Sequence, residues 1–213
     1  HRYLISSNIG EVVAVFMGVI VLGKDILTPV QLLWVNLVTD GLPATALSFN
    51  PITQSIMYSP PRSKRESLVD GLNAIRYGIL GSYVGIATVL STFLVPHHNG
   101  SDQTEGNSLT QTMSLSTLVT IEMFNALNSI SDTQSLLHVT PLSNPYLCIA
   151  ILLSIVLHLI IVYSEWMNRI FGVSKEMGTR EWIMVVTLSA PIVLLDECIK
   201  WIIRMRRRST YII

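Results

Sequence analysis

Gln31-Leu-Leu-Trp-Val-Asn36-Leu-Val-Thr39-Asp40-Gly-Leu-Pro43 carries a carboxylate in the middle of what reads as a membrane helix. On a helix Asn36, Thr39 and Asp40 fall at i, i+3 and i+4, so their side-chain oxygens share one face. Pro43 has no N–H to give to the Thr39 carbonyl, and Gly41 lets the backbone loosen just before it. A freed carbonyl beside a carboxylate, an amide and a hydroxyl makes an oxygen cage for a hard cation. The competing reading is a structural Asp40 in a soluble helix with Pro43 as an ordinary kink. An aspartate near the middle of a spanning helix costs about 2.5–3.5 kcal/mol on insertion scales, so a bilayer setting favours function.

Composition supplies that setting. Hydrophobic residues make up 50% of the chain and charged ones 13%, with a mean hydropathy of +0.51, which is the profile of a polytopic membrane protein. The formal net charge is zero and no nucleic-acid partner is expected. Cys148 and Cys198 each lie in an apolar segment, so they are expected as buried structural thiols rather than a disulfide framework. The chain opens at His1 with an apolar run too long and too polar in places for a signal peptide, and a piece of a longer protein is expected.

Working outward, six apolar segments of about 20 residues are long enough to cross the hydrocarbon core as helices. They fall near 3–22, 28–48, 73–95, 113–131, 145–164 and 182–203, so the fold class is an all-α six-helix membrane bundle. The expected organisation is an ion-binding hairpin over 1–48, a basic loop over 49–72 and supporting helices over 73–213 with a short loop at 96–112. In the first span Asn8 and Glu11 share a face and Gly10 thins the helix for a close neighbour. A tight connection over 23–27 and Pro29 in the first turn of the next helix bring the Glu11 and Asp40 faces together. Pro51, Pro60 and Pro61 with Arg62, Lys64 and Arg65 mark an extended basic loop, which the positive-inside rule places in the cytosol.

Gly81-x-x-x-Gly85 offers a smooth surface for helix packing. His97 and His98 read as solvated loop residues, and Asn99-Gly100-Ser101 is a glycosylation pattern that fits the opposite side of the membrane. Glu122 lies deep in the fourth span, with Asn125 and Ser129 continuing its polar stripe. His158 is expected to make an interhelical hydrogen bond; Tyr163, Trp166 and Trp182 form an aromatic belt; Asp196 and Glu197 pair structurally with Lys200. Arg204, Arg206, Arg207 and Arg208 close the chain on the cytosolic side, so both ends are expected inside.

Three helices thus offer Glu11, Asp40 and Glu122, with Asn8, Asn36, Thr39 and Asn125 as amide and hydroxyl oxygens. An all-oxygen set favours calcium, which takes six to eight oxygens in irregular geometry, over magnesium, which dehydrates reluctantly. Three carboxylates are more than one divalent ion needs and fewer than two would, so a fourth acid from a helix outside the chain is expected. When empty, these acids repel one another and lose water, and protons are expected to neutralise them, coupling cation movement one way to proton movement the other.

Ser-Ser-Asn-Ile-Gly-Glu (6–11), the stretch from Pro29 to Leu47, Pro-Pro-Arg (60–62) and Val-Thr-Ile-Glu-Met-Phe-Asn-Ala-Leu-Asn (119–128) resemble the carboxyl-terminal membrane half of the sarco/endoplasmic reticulum type of calcium-transporting P-type ATPase. The resemblance covers essentially the whole chain and implies that the six spans are the fifth to tenth of ten. By it, Asn8, Glu11, Thr39, Asp40 and Glu122 ligate one calcium, Asn36 and Asp40 a second with a glutamate from an absent span, and Asp40 bridges both. An acid at Glu11 separates this type from plasma-membrane and secretory-pathway calcium pumps. The implied partners are the bilayer, the amino-terminal half of the same pump with its Mg-ATP-using domains, and small membrane regulators; the implied location is the endoplasmic or sarcoplasmic reticulum membrane. The chain contains no Asp-Lys-Thr-Gly-Thr motif, so it is not expected to hydrolyse ATP alone. A passive cation channel or exchanger subunit, and a non-transporting regulatory fragment, are the alternatives.

Overall fold

The computed structural model describes residues 2–49, 71–94, 103–130 and 143–210. The basic stretch around Pro51, Pro60 and Arg62, and His97, His98 and Asn99, lie outside the described residues. Every long element within them is helical, as the sequence leads one to expect. Helix α1, Arg2–Met17, continues as a π-helical turn over Gly18–Leu22. Gly23 closes it at φ +63°, a left-handed conformation that glycine adopts without a Cβ penalty, and its N–H reaches Val19 O at 3.0 Å.

Helix α2, Pro29–Trp34, starts at a capping box. Thr28 Oγ1 accepts from Gln31 N (3.3 Å) and Gln31 Oε1 accepts from Thr28 N (2.9 Å), while Pro29 takes the first turn, where no N–H is missed. A π-helical turn over Val35–Thr39 then leads into α3, Gly41–Leu47. The remaining helices are α4 (Gly71–Phe93), α5 (Gln103–Asn128), α6 (Pro145–Tyr163), α7 (Glu165–Phe171), α8 (Thr179–Ser189) and α9 (Pro191–Thr210).

Among the described residues four stretches are long and apolar enough to cross a membrane: Tyr3–Leu22, Ala74–Phe93, Pro145–Tyr163 and Thr179–Met205. The other two expected spans, α2 with α3 and α5, are the ones that carry Asp40 and Glu122. One is broken by its π-helical turn and the other is loaded with Ser and Thr. The bundle interior explains how α5 tolerates this. Thr112, Ser114, Ser116, Thr117, Leu118 and Ile121 are all fully buried, and Thr112, Ser114 and Thr120 donate to carbonyls one turn back at 2.7–3.0 Å. The outward faces are apolar instead, with Val12, Phe16, Leu33, Leu37, Leu152 and Leu194 all exposed, as suits side chains that meet lipid.

Helices α1 and α4 touch along their glycines. A Cβ on Gly10 would stand 2.7 Å from Val84 Cβ, and one on Gly81 would stand 2.9 Å from Ile9 Cβ. Gly85 faces the α1 backbone itself, with Ala14 N 2.8 Å from where its Cβ would be. The Gly81-x-x-x-Gly85 pair therefore packs against α1 as the sequence suggests. A buried charge cluster joins α4 to α9: Arg76 Nε donates to Asp196 Oδ1 (2.9 Å), and Lys200 Nζ lies 3.0 Å from Asp196 Oδ2. Lys200 also donates to the Asn128 carbonyl at the end of α5 (2.8 Å), where a cation complements the helix dipole. The Asp196–Lys200 pair was legible from spacing; the interhelical Arg76 was not.

Four details depart from the sequence reading. α5 begins at Gln103, inside the stretch 96–112 taken for a loop, because its hydroxyls bond their own helix and so do not break it. The segment 182–203 is two helices, since Pro191 cannot continue the ladder of α8. Between α6 and α8 lies the unexpected α7, closed by Gly172 at φ +63°. Cys198 is exposed and Cys148 half-buried, because an apolar neighbourhood on a membrane span includes its lipid face. His158 bonds Ser116 of α5 (3.0 Å) and Trp182 Nε1 donates to Tyr163 OH (2.9 Å), both near expectation, while Trp166 stands exposed apart from that pair.

Candidate cation site

The site is assembled where α1, the Val35–Thr39 turn and α5 meet. Its centre is the widened turn. Asp40 N–H reaches the carbonyl of Val35 at 2.8 Å, a bond spanning five residues instead of four. Pro43 explains the loosening: it brings no N–H to Thr39 O, and the regular ladder resumes only with Ala44 N on Asp40 O (3.0 Å). The extra residue also changes which side chains face inward. Thr39 and Asp40 are buried while Asn36 is exposed, so the three do not share the one face that a regular helix would give them.

Asp40 is fixed from α1. Tyr3 OH donates to its Oδ1 at 2.9 Å and Ser7 Oγ donates to its Oδ2. Glu11, one turn further along α1, is buried and accepts from Asn36 Nδ2 at 2.6 Å, which ties α1 to the outer side of the turn. Asn36 Nδ2 also reaches Leu32 O at 3.1 Å. Glu122 on α5 is fully buried; its Oε2 accepts from Asn125 Nδ2 (3.3 Å), and the same amide reaches Ser6 Oγ on α1 (3.1 Å).

The expected acids thus converge on one interior region from three helices. Asn8 does not join them: it is exposed on α1 although Glu11, three residues on, is buried. The acids are near without closing on one point, since among the described residues no three His, Cys, Asp or Glu side chains stand ready to hold a metal ion together. Glu11 Oε1 and Glu122 Oε1 are both buried and have no hydrogen-bond partner among the described residues. Orphaned buried carboxylate oxygens are costly and ask for a cation or a proton. Asn36 and Asn125 present N–H groups to the carboxylates, and a half-turn of either amide would present an oxygen instead. A set of carboxylates, amides and hydroxyls with no sulfur suits a hard cation.

Tyr3 and Ser7 were not singled out as site residues from sequence, yet they hold Asp40. Their spacing carried the signal: they lie four apart on α1, on the face that packs inward with Ala14.

A family model described as the C-terminus of cation-transporting ATPases matches residues 24–202. The chain is also 42% identical over 238 residues to a calcium-transporting ATPase of Plasmodium falciparum (isolate K1 / Thailand). That alignment covers 94% of this chain and 19% of the relative, so the chain spans only a small part of the length of the protein it matches.

Proposed function

The chain belongs to the cation-transporting ATPase family, and on that premise we propose that it is the carboxyl-terminal membrane half of an ATP-driven calcium pump of the sarco/endoplasmic reticulum type. One observation carries the proposal: Glu11, Asp40 and Glu122, from three separate elements, are all buried, and among the described residues Glu11 Oε1 and Glu122 Oε1 have no hydrogen-bond partner. In this reading Asn8, Glu11, Thr39, Asp40 and Glu122 take one calcium, Asn36 and Asp40 take a second, and Asp40 touches both. The exposure of Asn8 and Asn36 fits a site left open on one side for a further span from the amino-terminal half, with its own acid. That half also supplies phosphorylation and Mg-ATP binding, the basic loop over 49–72 meets it in the cytosol, and small membrane regulators dock on the assembled pump. Calcium moves from cytosol to reticulum lumen, and protons that neutralise the emptied acids move back.

The test is equilibrium binding of radioactive calcium to the full-length protein in vesicles. Two ions per pump are expected for the wild type, none for Asp40→Asn and one or none for Glu122→Gln. Stoichiometric binding of two ions by Asp40→Asn would overturn the assignment.

A further inference from the structure

Two buried amides outside the cation cluster do the same double duty at opposite ends of the helix that carries Asp40. Gln31 is fully buried at the start of α2. Its Oε1 caps that helix at Thr28 N, while its Nε2 donates 2.9 Å to the carbonyl of Phe171, the last residue of α7. Trp34, one turn on, packs edge-on against the Phe171 ring with centroids 5.4 Å apart. Asn144 is buried just before α6. Its Oδ1 caps α6 at Leu147 N (3.2 Å), while its Nδ2 donates 3.1 Å to the carbonyl of Ala46, near the end of α3. In each case the amide oxygen closes its own helix and the amide nitrogen reaches across to the other element.

The elements so joined form one arm. α6 and α7 are separated by the single extended residue Ser164, whose N–H bonds Ile160 O (2.9 Å) and whose carbonyl accepts from Asn168 N (2.9 Å). This arm therefore grips the ion-carrying segment at both ends, Gln31 and Ala46, and the irregular Val35–Thr39 turn lies between the grips. A helix held at both ends changes shape most readily where its hydrogen bonding is already irregular.

We propose that Gln31 and Asn144 are positioning residues that clamp α2–α3 to the α6–α7 arm, so that the cation geometry at Asp40 changes by rearrangement of the Val35–Thr39 turn and not by movement of the whole helix. The proposal rests on the reading of Asp40 as a cation ligand. Loss of either clamp frees one end, disperses Asp40 among more positions and weakens cation affinity, while the maximal rate at saturating cation is kept.

Gln31→Glu and Asn144→Asp each retain the capping oxygen and lose the donor that crosses to the partner element. Thr28→Val removes the other half of the capping box and leaves the Gln31–Phe171 bond in place. In the full-length pump, the calcium concentration for half-maximal activation is expected to rise about fivefold for Gln31→Glu and for Asn144→Asp, the scale of one hydrogen bond. It is expected to stay unchanged for Thr28→Val, with the maximal rate per folded pump unchanged in all three. Gln31→Met, which buries no charge, is compared with Thr28→Val if Gln31→Glu does not fold. Unchanged half-saturation in the clamp variants, beside loss of binding in Asp40→Asn, overturns the clamp and leaves the cation site standing. An equal shift in Thr28→Val also overturns it, because capping alone would then account for the effect. Full binding by Asp40→Asn overturns the site reading, and the clamp with it.

Discussion

The charge cluster between α4 and α9 yields a prediction with a definite order of severity. Asp196 is fully buried, with Arg76 and Lys200 both against its carboxylate and side-chain exposures of 7% for Arg76 and 0% for Lys200. Asp196→Leu takes away the anion and leaves the fully buried Lys200 ammonium without the carboxylate it pairs with. Breaking a buried pair in this way costs about 3–5 kcal/mol, because the buried ammonium keeps its charge and loses its counter-ion. Lys200→Met is milder. Arg76 and Asp196 remain matched, and what is lost is the contact with Asp196 and the 2.8 Å bond to the Asn128 carbonyl, partly offset because no ammonium has to be stripped of water. That loss should come to about 1–2 kcal/mol. The double variant Asp196→Leu/Lys200→Met removes that buried ammonium as well, so it should be more stable than Asp196→Leu by about 1–2 kcal/mol despite carrying one more change. The assay is unfolding of the full-length protein in mixed micelles by SDS titration, followed by tryptophan fluorescence. If Lys200→Met proves as damaging as Asp196→Leu, or the double variant is the worst of the three, charge balance is not what governs this cluster.

The glycines give a second contrast under the same assay. Gly85→Ala should destabilise by about 1–3 kcal/mol, since its Cβ would press on the α1 backbone, whereas Gly78→Ala, with nothing within 4 Å of its Cβ, should be neutral or stabilising by up to about 1 kcal/mol. Equal effects at the two positions would show that α1 and α4 can separate freely. On α7, the Lys175 ammonium, 2.7 Å away, holds the exposed Glu165 carboxyl below its ordinary range. Such a pair adds stability above the ordinary carboxylate pKa and loses it as pH falls through the lowered value. Because both groups are solvated, Glu165→Gln is expected to leave the pH profile of unfolding superimposable on that of the wild type, and a gap opening between the two profiles above the carboxylate range would contradict this.

The burial of Glu11, Asp40 and Glu122 could be anticipated because each acid lies within an apolar stretch of sequence, where its cost makes it stand out. Tyr3 and Ser7 escaped notice because hydroxyls in membrane helices are cheap and common, and only contact with Asp40 across 37 and 33 residues of chain reveals their use. Hydropathy misled in a consistent direction. It took Cys198 for interior and the start of α5 for a loop, since it measures polarity along the chain and is blind to whether polar groups face a protein interior or water.

Linear order was enough to establish an all-helical membrane architecture and the glycine seam. These follow from periodicity, a local property. Three-dimensional packing was needed to turn Asn36 away from Thr39 and Asp40, to bring Arg76 to Asp196 across 120 residues, and to set Gln31 and Asn144 at the two ends of one helix. Those outcomes depend on one side chain meeting a particular partner far along the chain, and no window of neighbouring residues contains both.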